Sequence, residues 1–273
     1  MTRLRWEDLP PPVREAVTQC LGEVFSADPV QQGAGSETAF VLHTHTGRVF
    51  LKGVELDGPN TGMGRIENKI QPYLPSMAPR LMGSFETAGW LVLLFEYVPG
   101  RHADLSPGSA DLPVIAALLH RLSQVIRPDL PVLPIERRWA AFAPAPALDL
   151  LRGDTLVHTD LTEANILIGN EAKVIDWAWP TRGAPWLDTA FLVVRLVQAG
   201  HSPADAERWA SQVPAWREAG TDALHAFIIA WAALGEQRAP GPVRRALARW
   251  AAYRADARAG GVPHWGGRGV PFR

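Results

Sequence analysis

Three polar residues, Asp160, Asn165 and Asp176, stand close together in the sequence, and short apolar runs flank them. A hydroxyl group that attacks the γ-phosphorus of ATP needs a carboxylate beside it, and Mg²⁺ needs hard oxygen ligands nearby. Asp160 can supply the carboxylate, and Asn165 with Asp176 can supply the metal ligands. The stretch therefore has the residue types and spacing of a phosphoryl-transfer site. The alternative is a polar turn, in which Asn165 bonds its own backbone and Asp176 caps a helix.

Short buried strands are predicted on both sides of these residues. The run LVH precedes Asp160, and the runs ILI and KVI separate it from Asp176. Their length and their apolar character are typical of strands in a protein interior. Both acids are then expected at strand or turn ends that face one cleft, on loops that the strands hold in place.

An upstream hairpin carries one of the three lysines of the chain, Lys52. Two alternating strands are predicted on either side of HTHTGR, and Lys52 lies in the second strand among apolar neighbours. An unpaired buried ammonium is costly, so Lys52 needs a partner, and its compact charge suits the α- and β-phosphates of a nucleotide. Glu67, in the helical pattern TGMGRIENKIQPYL, could orient Lys52. Its alternative is a solvated position on the helix surface.

Two further segments could contact a nucleotide. A turn containing Gly33, Gly35 and Ser36 precedes the hairpin, but it lacks the full G-x-G-x-x-G pattern. An ordinary hairpin turn is therefore the alternative to a phosphate-covering loop. The apolar strand GWLVLLFEYV ends near Glu96 and Val98, before a Pro-Gly break, where backbone groups could bind an adenine ring.

The order of these features resembles the protein-kinase-like superfamily: glycine turn, strand lysine, helix glutamate, hinge strand, H-x-D-x-x-x-x-N motif and Ile-Asp pair. Within it, the chain is similar to the aminoglycoside phosphotransferase family over roughly residues 30–195, most specifically in VHTDLTEANILI, VIDWAWP and PWLDTA. The resemblance implies an α+β fold of two lobes. Residues 1–98 would form a small lobe with an antiparallel sheet, and residues 99–273 a larger, mainly helical lobe.

The resemblance also implies a role for each polar residue of the motifs. Asp160 would be the catalytic base of an enzyme that uses ATP and Mg²⁺, and Asn165 and Asp176 would hold the metal. Lys52 would bind the phosphates, and Glu67 would orient it.

Other residues would bind the nucleotide or support the loop. The turn with Gly33 would cover the phosphates, and backbone groups at Glu96 and Val98 would bind adenine. His158 and Asp188 would support the catalytic loop, although Asp188 has the alternative of an N-cap for the helix LDTAFLVVRLV.

Two departures from the usual pattern bear on the substrate. Thr159 replaces a common glycine or arginine, and Trp177 follows the metal aspartate where protein kinases carry Phe-Gly. In addition, no A-P-E element follows Asp176. The acceptor is therefore expected to be a hydroxyl of a small molecule. Two alternatives stay open: a protein kinase, and a nucleotide-binding regulatory protein with weak or no turnover.

Composition excludes several other classes of protein. The chain has 273 residues, of which 47% are hydrophobic and 20% charged, with a net charge of −1. This charge gives no footprint for nucleic acid, and no apolar run is long enough for a membrane span. The single Cys20 excludes an internal disulfide, and the N-terminus lacks the apolar core of a signal peptide. A cytoplasmic setting is therefore expected.

The segment after residue 180 bears on the acceptor. It holds seven acids and twelve arginines, which does not favour a polycationic ligand. Trp179 and Arg182 follow the metal aspartate and are expected at the acceptor pocket, whereas tryptophans further along are expected in the core. Packed helices are predicted at DLPVIAALLHRLSQVI and near the end, and AFAPAPALDL is predicted to be a loop. The sequence leaves the acceptor and the oligomeric state open.

Overall fold

The computed structural model describes residues 4–30, 38–238 and 241–259, which form two lobes of different architecture. The predicted turn at Gly33, Gly35 and Ser36 lies outside the described residues. Within them, the α+β fold with two lobes is confirmed. No helix in these ranges is long and apolar enough to cross a membrane.

The first lobe is a five-stranded sheet with helices on its two faces. In chain order its elements are α1 (Pro11–Leu21), β1 (Val24–Pro29), β2 (Thr38–Thr44), β3 (Gly47–Glu55), α2 (Thr61–Ile70), β4 (Leu81–Thr87) and β5 (Trp90–Glu96). The strands lie in the order β1-β2-β3-β5-β4, and each neighbouring pair is antiparallel. Strand β3 lies at the centre of the sheet with β2 and β5 on either side, so these three strands are the best placed to carry buried side chains.

Strand alternation decides which side chains of this sheet face the other lobe. In β5, every second residue from Trp90 packs with α1, and every second residue from Leu91 packs on the opposite face. In β3, Leu51 belongs to the α1 side and Val54 to the opposite side. Because successive side chains alternate along a strand, Lys52 shares the face of Val54.

The second lobe is mainly helical. In chain order its elements are β6 (Arg101–His102), α3 (Asp111–Ser123), α4 (Ile135–Arg138), α5 (Ala145–Asp149), β7 (Thr155–Val157), β8 (Ile166–Ile168), β9 (Ala172–Val174), β10 (Thr181–Gly183), α6 (Leu187–Gln198), α7 (Pro203–Ala210), α8 (Thr221–Arg238) and α9 (Gly241–Ala259). Helix α6 is buried along most of its length and contacts α7 and α9. It forms the centre of this lobe.

Two small sheets hold the loops that connect these helices. Strand β7 pairs with β10, and β8 pairs with both β6 and β9. The loop with Asp160 runs from β7 to β8, and the loop with Asp176 runs from β9 to β10. The strands predicted around both acids are thus present, and they bring the two loops to one end of the lobe.

The expectation of a loop at AFAPAPALDL is wrong in part, because the structure has α5 within it. Pro146 lies in the first turn of this helix, where the missing backbone N–H is not needed for a helical hydrogen bond. The tryptophans expected in the core are buried: Trp186, Trp209, Trp216, Trp231 and Trp250.

Candidate active site

A buried ion cluster joins the two lobes. The ammonium Nζ of Lys52 lies 2.6 Å from Oε2 of Glu67 and 2.6 Å from Oδ1 of Asp176. Lys52 and Glu67 are 6% and 4% exposed. Glu67 is therefore not a solvated surface residue, and a lysine of the first lobe contacts a carboxylate that follows it by 124 positions.

A close helix–sheet contact brings Glu67 to Lys52. A Cβ atom at Gly64 would lie 3.0 Å from Cγ2 of Val54 and 3.3 Å from Cδ2 of Leu91. Helix α2 can rest against β3 and β5 because this position has no side chain. Glu67 follows Gly64 by three residues, so it lies on the same face of the helix and is carried to the ammonium.

Burial and neighbouring charges act on each group of the cluster. Burial opposes ionisation of Lys52, but the carboxylates of Glu67 and Asp176 outweigh it, so the pKa of Lys52 is raised above its ordinary value. Burial raises the pKa of Glu67; the ammonium of Lys52 opposes this effect, and the nearby charge of Asp176 adds to it. One ammonium lies between two carboxyl groups, so the cluster has no excess of positive charge that would repel a cation.

Asn165 and Asp176 offer the oxygen atoms for such a cation. The amide nitrogen of Asn165 donates to the backbone oxygen of Asp160 at 2.8 Å, which fixes the orientation of its amide. Asp176 has a left-handed φ of 62°, a conformation that aspartate tolerates better than most residues. Both residues line the cavity between the lobes.

This donor set fits Mg²⁺ rather than a metal held by protein alone. Among the described residues, no group of three or more His, Cys, Asp or Glu side chains could hold a metal ion. Mg²⁺ is commonly bound by one or two side chains together with phosphate oxygens and water. The amide of Asn165 and the carboxylate of Asp176, which both line the cavity between the lobes, match that mode.

His158 ties the loop of Asp160 to the loop of Asp176. Its Nδ1 accepts from the backbone N–H of Asp160 at 3.2 Å, so its Nε2 is the donor to the backbone oxygen of Ile175 at 3.0 Å. The ring is fully buried and lies edge-on to Trp177, with ring centroids 4.7 Å apart. His158 thus fixes the backbone next to both acids.

Asp188 anchors the same loop from helix α6. Its carboxylate accepts from the backbone N–H of His158 at 2.9 Å and of Thr159 at 3.0 Å. Because α6 begins at Leu187 with Trp186 as its N-cap, Asp188 is not the cap of this helix. Burial raises the pKa of Asp188, although the two backbone N–H donors oppose this effect.

Thr159 adds a second link between the loops. Its φ of 70° is left-handed, which is unusual for a β-branched residue. The two backbone hydrogen bonds at Asp188 hold this part of the loop, and the Thr159 hydroxyl donates to the backbone oxygen of Trp179 at 2.7 Å. This hydroxyl bond requires a threonine or serine at the position where glycine or arginine is common.

The carboxylate of Asp160 is partly exposed and is not among the groups that line the cavity between the lobes. Its side chain is 42% exposed, and Nη2 of Arg195 lies 3.3 Å from its Oδ1. Sequence reasoning missed Arg195, which is part of the apolar helix α6. The sequence does contain a signal for it, because a lone charge in the apolar run FLVVRLV needs a partner, as Lys52 does in its strand.

A cavity of about 270 Å³ lies between the lobes beside the ion cluster. Its walls are mainly apolar, with Ala39 and Val41 from β2 and Leu167 from β8. The chain from Glu96 to Val98, which was predicted to bind adenine, forms one side of the cavity. Such a slot has the shape and polarity to take a planar ring, with Lys52, Asn165 and Asp176 beside it.

The two residues expected at the acceptor pocket are placed differently. Trp179 is 41% exposed, and its backbone oxygen contacts the loop of Asp160 through Thr159. The guanidinium of Arg182 instead donates to the backbone oxygen of Pro128 and lies 3.4 Å from Asp154. The structure therefore brings Trp179, and not Arg182, to the loop of Asp160.

No protein-family model and no curated protein matches the sequence. Solved structures do match its fold. A structure of aminoglycoside phosphotransferase APH(4)-Ia with ADP and hygromycin B has 17% identity and a TM-score of 0.60, covering 92% of this chain and 99% of that one. Choline kinase LicA from Streptococcus pneumoniae has 16% identity and a TM-score of 0.58, covering 91% and 98%. The expected resemblance is confirmed at the level of the fold.

Proposed function

We propose that this protein is an ATP- and Mg²⁺-dependent phosphotransferase that moves the γ-phosphoryl group to a hydroxyl of a small molecule. One observation carries the proposal: Lys52, Glu67 and Asp176 converge from both lobes on one cavity. A shared fold alone does not establish an activity, because function depends on the site. The contacts of Lys52 with Glu67 and Asp176 support the proposal at the level of the site.

In this proposal ATP lies in the cavity between the lobes. Its adenine ring packs in the apolar slot and takes hydrogen bonds from the backbone at Glu96 and Val98. The ammonium of Lys52 binds the phosphates, and Glu67 keeps it in position. Mg²⁺ held by Asn165 and Asp176 would neutralise negative charge on the phosphates.

Asp160 acts on the acceptor. The acceptor oxygen forms a bond to the γ-phosphorus while the bond from that phosphorus to the β–γ bridging oxygen breaks. ADP leaves with the electron pair of that bond, and the hydroxyl proton passes to the carboxylate of Asp160. The exposure of this carboxylate supports its role, since an acceptor must reach it.

A small molecule suits this site better as acceptor than a protein does. In the described chain, only the segment 177–186, with the short strand β10, separates the metal aspartate from α6. This segment contains no long loop of the kind that docks a protein substrate. The two similar structures also bear the names of enzymes for small molecules, an aminoglycoside phosphotransferase and a choline kinase.

The proposal is tested by measuring nucleotide binding and ADP release separately. We expect wild-type protein to bind ATP tightly only with Mg²⁺ and to release ADP when a panel of hydroxyl compounds is added. The variant Asp176→Ala should lose Mg²⁺-dependent ATP binding. Tight MgATP binding by this variant would contradict the metal site. If the wild-type protein binds MgATP but releases no ADP with any acceptor of the panel, the regulatory alternative is favoured.

A further inference from the structure

A cation already contacts the carboxylate proposed as the catalytic base. Arg195 reaches Asp160 from helix α6 through Nη2 at 3.3 Å, and its Nη1 donates to Oε1 of Gln198 at 3.3 Å. The side chain of Arg195 is 17% exposed, so it keeps some contact with solvent. A molecule that reaches the carboxylate of Asp160 therefore also meets this arginine.

The geometry of this pair differs from that of a structural ion pair in the same lobe. Arg101 and Asp111 form a closed fork, with two N–O contacts of 2.6 Å. Parallel double contacts of this kind are the strong form of an arginine–carboxylate pair. Arg195 makes one contact of 3.3 Å with Asp160. Because this contact is single and long, the planar guanidinium of Arg195 can leave Asp160 and form a double contact with another anion.

The backbone of Trp179 is fixed next to the loop that carries Asp160. The backbone oxygen of Trp179 accepts from the hydroxyl of Thr159 at 2.7 Å and from Nη1 of Arg138 at 2.6 Å. The guanidinium carbon of Arg138 also lies 5.3 Å from the centre of the indole ring. Since Thr159 directly precedes Asp160, the backbone of Trp179 is held next to the loop of the proposed base, and its side chain is 41% exposed.

Building on the function proposed above, we propose that the acceptor is a hydroxylated small molecule that carries a carboxylate or a phosphate. Its anionic group binds Arg195, its hydroxyl faces Asp160, and its apolar part packs on Trp179. On binding, Arg195 exchanges the carboxylate of Asp160 for the anion of the acceptor. The hydroxyl then takes the place of the guanidinium at Asp160, where it delivers its proton during transfer.

The same charges disfavour a polycationic acceptor. In the free protein the guanidinium of Arg195 offsets the negative charge of Asp160, so this carboxylate attracts ammonium groups less strongly. An ammonium group that approached Asp160 would also be repelled by Arg195. The segment after residue 180 holds twelve arginines and seven acids, so its charge also disfavours a cationic acceptor.

A matched series of three-carbon compounds tests the charge preference. Glycerol is neutral, glycerate carries a carboxylate, glycerol 3-phosphate carries a phosphate, and serinol carries an ammonium. Their affinities for protein loaded with Mg²⁺ and a non-hydrolysable ATP analogue are measured together with ADP release from MgATP. We expect the better anion to bind about tenfold or more tightly than glycerol, and serinol to bind most weakly. Equal affinities, undetectable binding of both anions, or preference for serinol would overturn the inference.

Arginine variants assign the preference to one side chain. We expect Arg195→Gln to lower the affinity for the preferred anion by about tenfold to a hundredfold, and Arg195→Lys to retain part of it. Arg208→Gln is the control, because Arg208 pairs with Asp205 on the exposed surface of α7 and should leave the preference unchanged. Thermal unfolding confirms that each variant is folded. An unchanged preference in folded Arg195→Gln would overturn the inference.

The two proposals fail in different ways in this experiment. If the protein does not bind MgATP, the proposed phosphotransferase function is wrong. If it binds MgATP and releases ADP with neutral or cationic acceptors alone, that function stands and the anionic acceptor is wrong.

Discussion

The two sides of the cleft differ in how completely the protein has assembled them. On the side proposed to bind the nucleotide, called the nucleotide side, Lys52, Glu67 and Asp176 form contacts of 2.6 Å, and two of these side chains are almost fully buried. On the side proposed to bind the acceptor, called the acceptor side, Asp160 is 42% exposed and makes one contact of 3.3 Å with Arg195. Electrostatic interactions are stronger away from water, so the nucleotide side is fixed before any ligand binds. The acceptor side keeps partners that a substrate can replace.

The largest expected effect separates the two sides by function. In Asp160→Ala, kcat should fall by roughly 10²–10⁴ because the base is lost, while MgATP affinity changes little because the buried cluster is intact. Steady-state kinetics and equilibrium nucleotide binding measure the two quantities. Asp129→Ala, at another exposed aspartate of the same lobe, is the control. Normal turnover by Asp160→Ala on its true acceptor would show that the base is assigned wrongly.

The next prediction concerns stability and affects the nucleotide side. Lys52→Met leaves Glu67 and Asp176 as two carboxylates without their cation, which should lower the free energy of unfolding by about 3–5 kcal/mol. Lys173→Met is the control. Lys173 pairs with Glu96 at 3.1 Å but is more exposed, so its loss should cost less than about 1 kcal/mol.

Denaturant unfolding of both lysine variants measures this difference. The double variant Lys52→Met with Glu67→Gln should regain part of the lost stability, because it removes one of the two uncompensated charges. If Lys52→Met and Lys173→Met unfold at the same denaturant concentration, the buried cluster is not the stabilising feature that its geometry indicates.

A smaller effect is expected where helix α2 meets the sheet. Gly64→Ala places a methyl group 3.0 Å from Val54 and should destabilise the protein by about 1–3 kcal/mol, because the helix must move away from the strand. It should also weaken MgATP binding, since Glu67 moves with the helix. Gly62→Ala, in the same helix with no atom within 4 Å, should stabilise it by up to about 1 kcal/mol through helix propensity. Equal effects of the two variants on the melting temperature would contradict this packing argument.

The sequence predicted the nucleotide side better than the acceptor side, and the reason is physical. Lys52 stands in an apolar strand, where a charge has few explanations, and alternation alone places it on the inner face. Asp160 and Asn165 share one short loop between two strands, so their proximity follows from the chain itself. The contact between Lys52 and Asp176 depends on how two lobes pack, and only the resemblance to a known family implied it.

The acceptor side depends on contacts that a motif does not encode. Arg195 reaches Asp160 because α6 packs against the loop that carries Asp160. The two residues are 35 positions apart, and this spacing does not reveal the packing. Arg182 stands close to Trp179 in sequence, yet strand β10 pairs with β7, and its guanidinium contacts Asp154. Arg182 lies within β10, whereas Trp179 precedes this strand, so closeness in sequence was a poor guide here.

The smallest expected effect probes how the acceptor side is held together. The hydroxyl of Thr159 donates to the backbone oxygen of Trp179, which also accepts from Arg138. In Thr159→Val the shape at Cβ is kept and this donor is lost, so the free energy of unfolding should fall by about 0.5–1.5 kcal/mol. Because Arg138 still satisfies the oxygen, the lower end of that range is expected. Thr159→Ser keeps the donor and should stay closer to wild type.

The kinetic consequence of this bond distinguishes a link between loops from a local contact. If the bond aligns Trp179 with Asp160, Thr159→Val should raise KM for the acceptor severalfold and leave MgATP affinity unchanged, because the buried cluster lies on the other side of the cleft. The same assays on Thr159→Ser control for the change in side-chain size. A loss of stability in Thr159→Val without any change in acceptor KM would mean that Trp179 is held in place by Arg138 alone, and that the left-handed threonine serves only the fold of its loop.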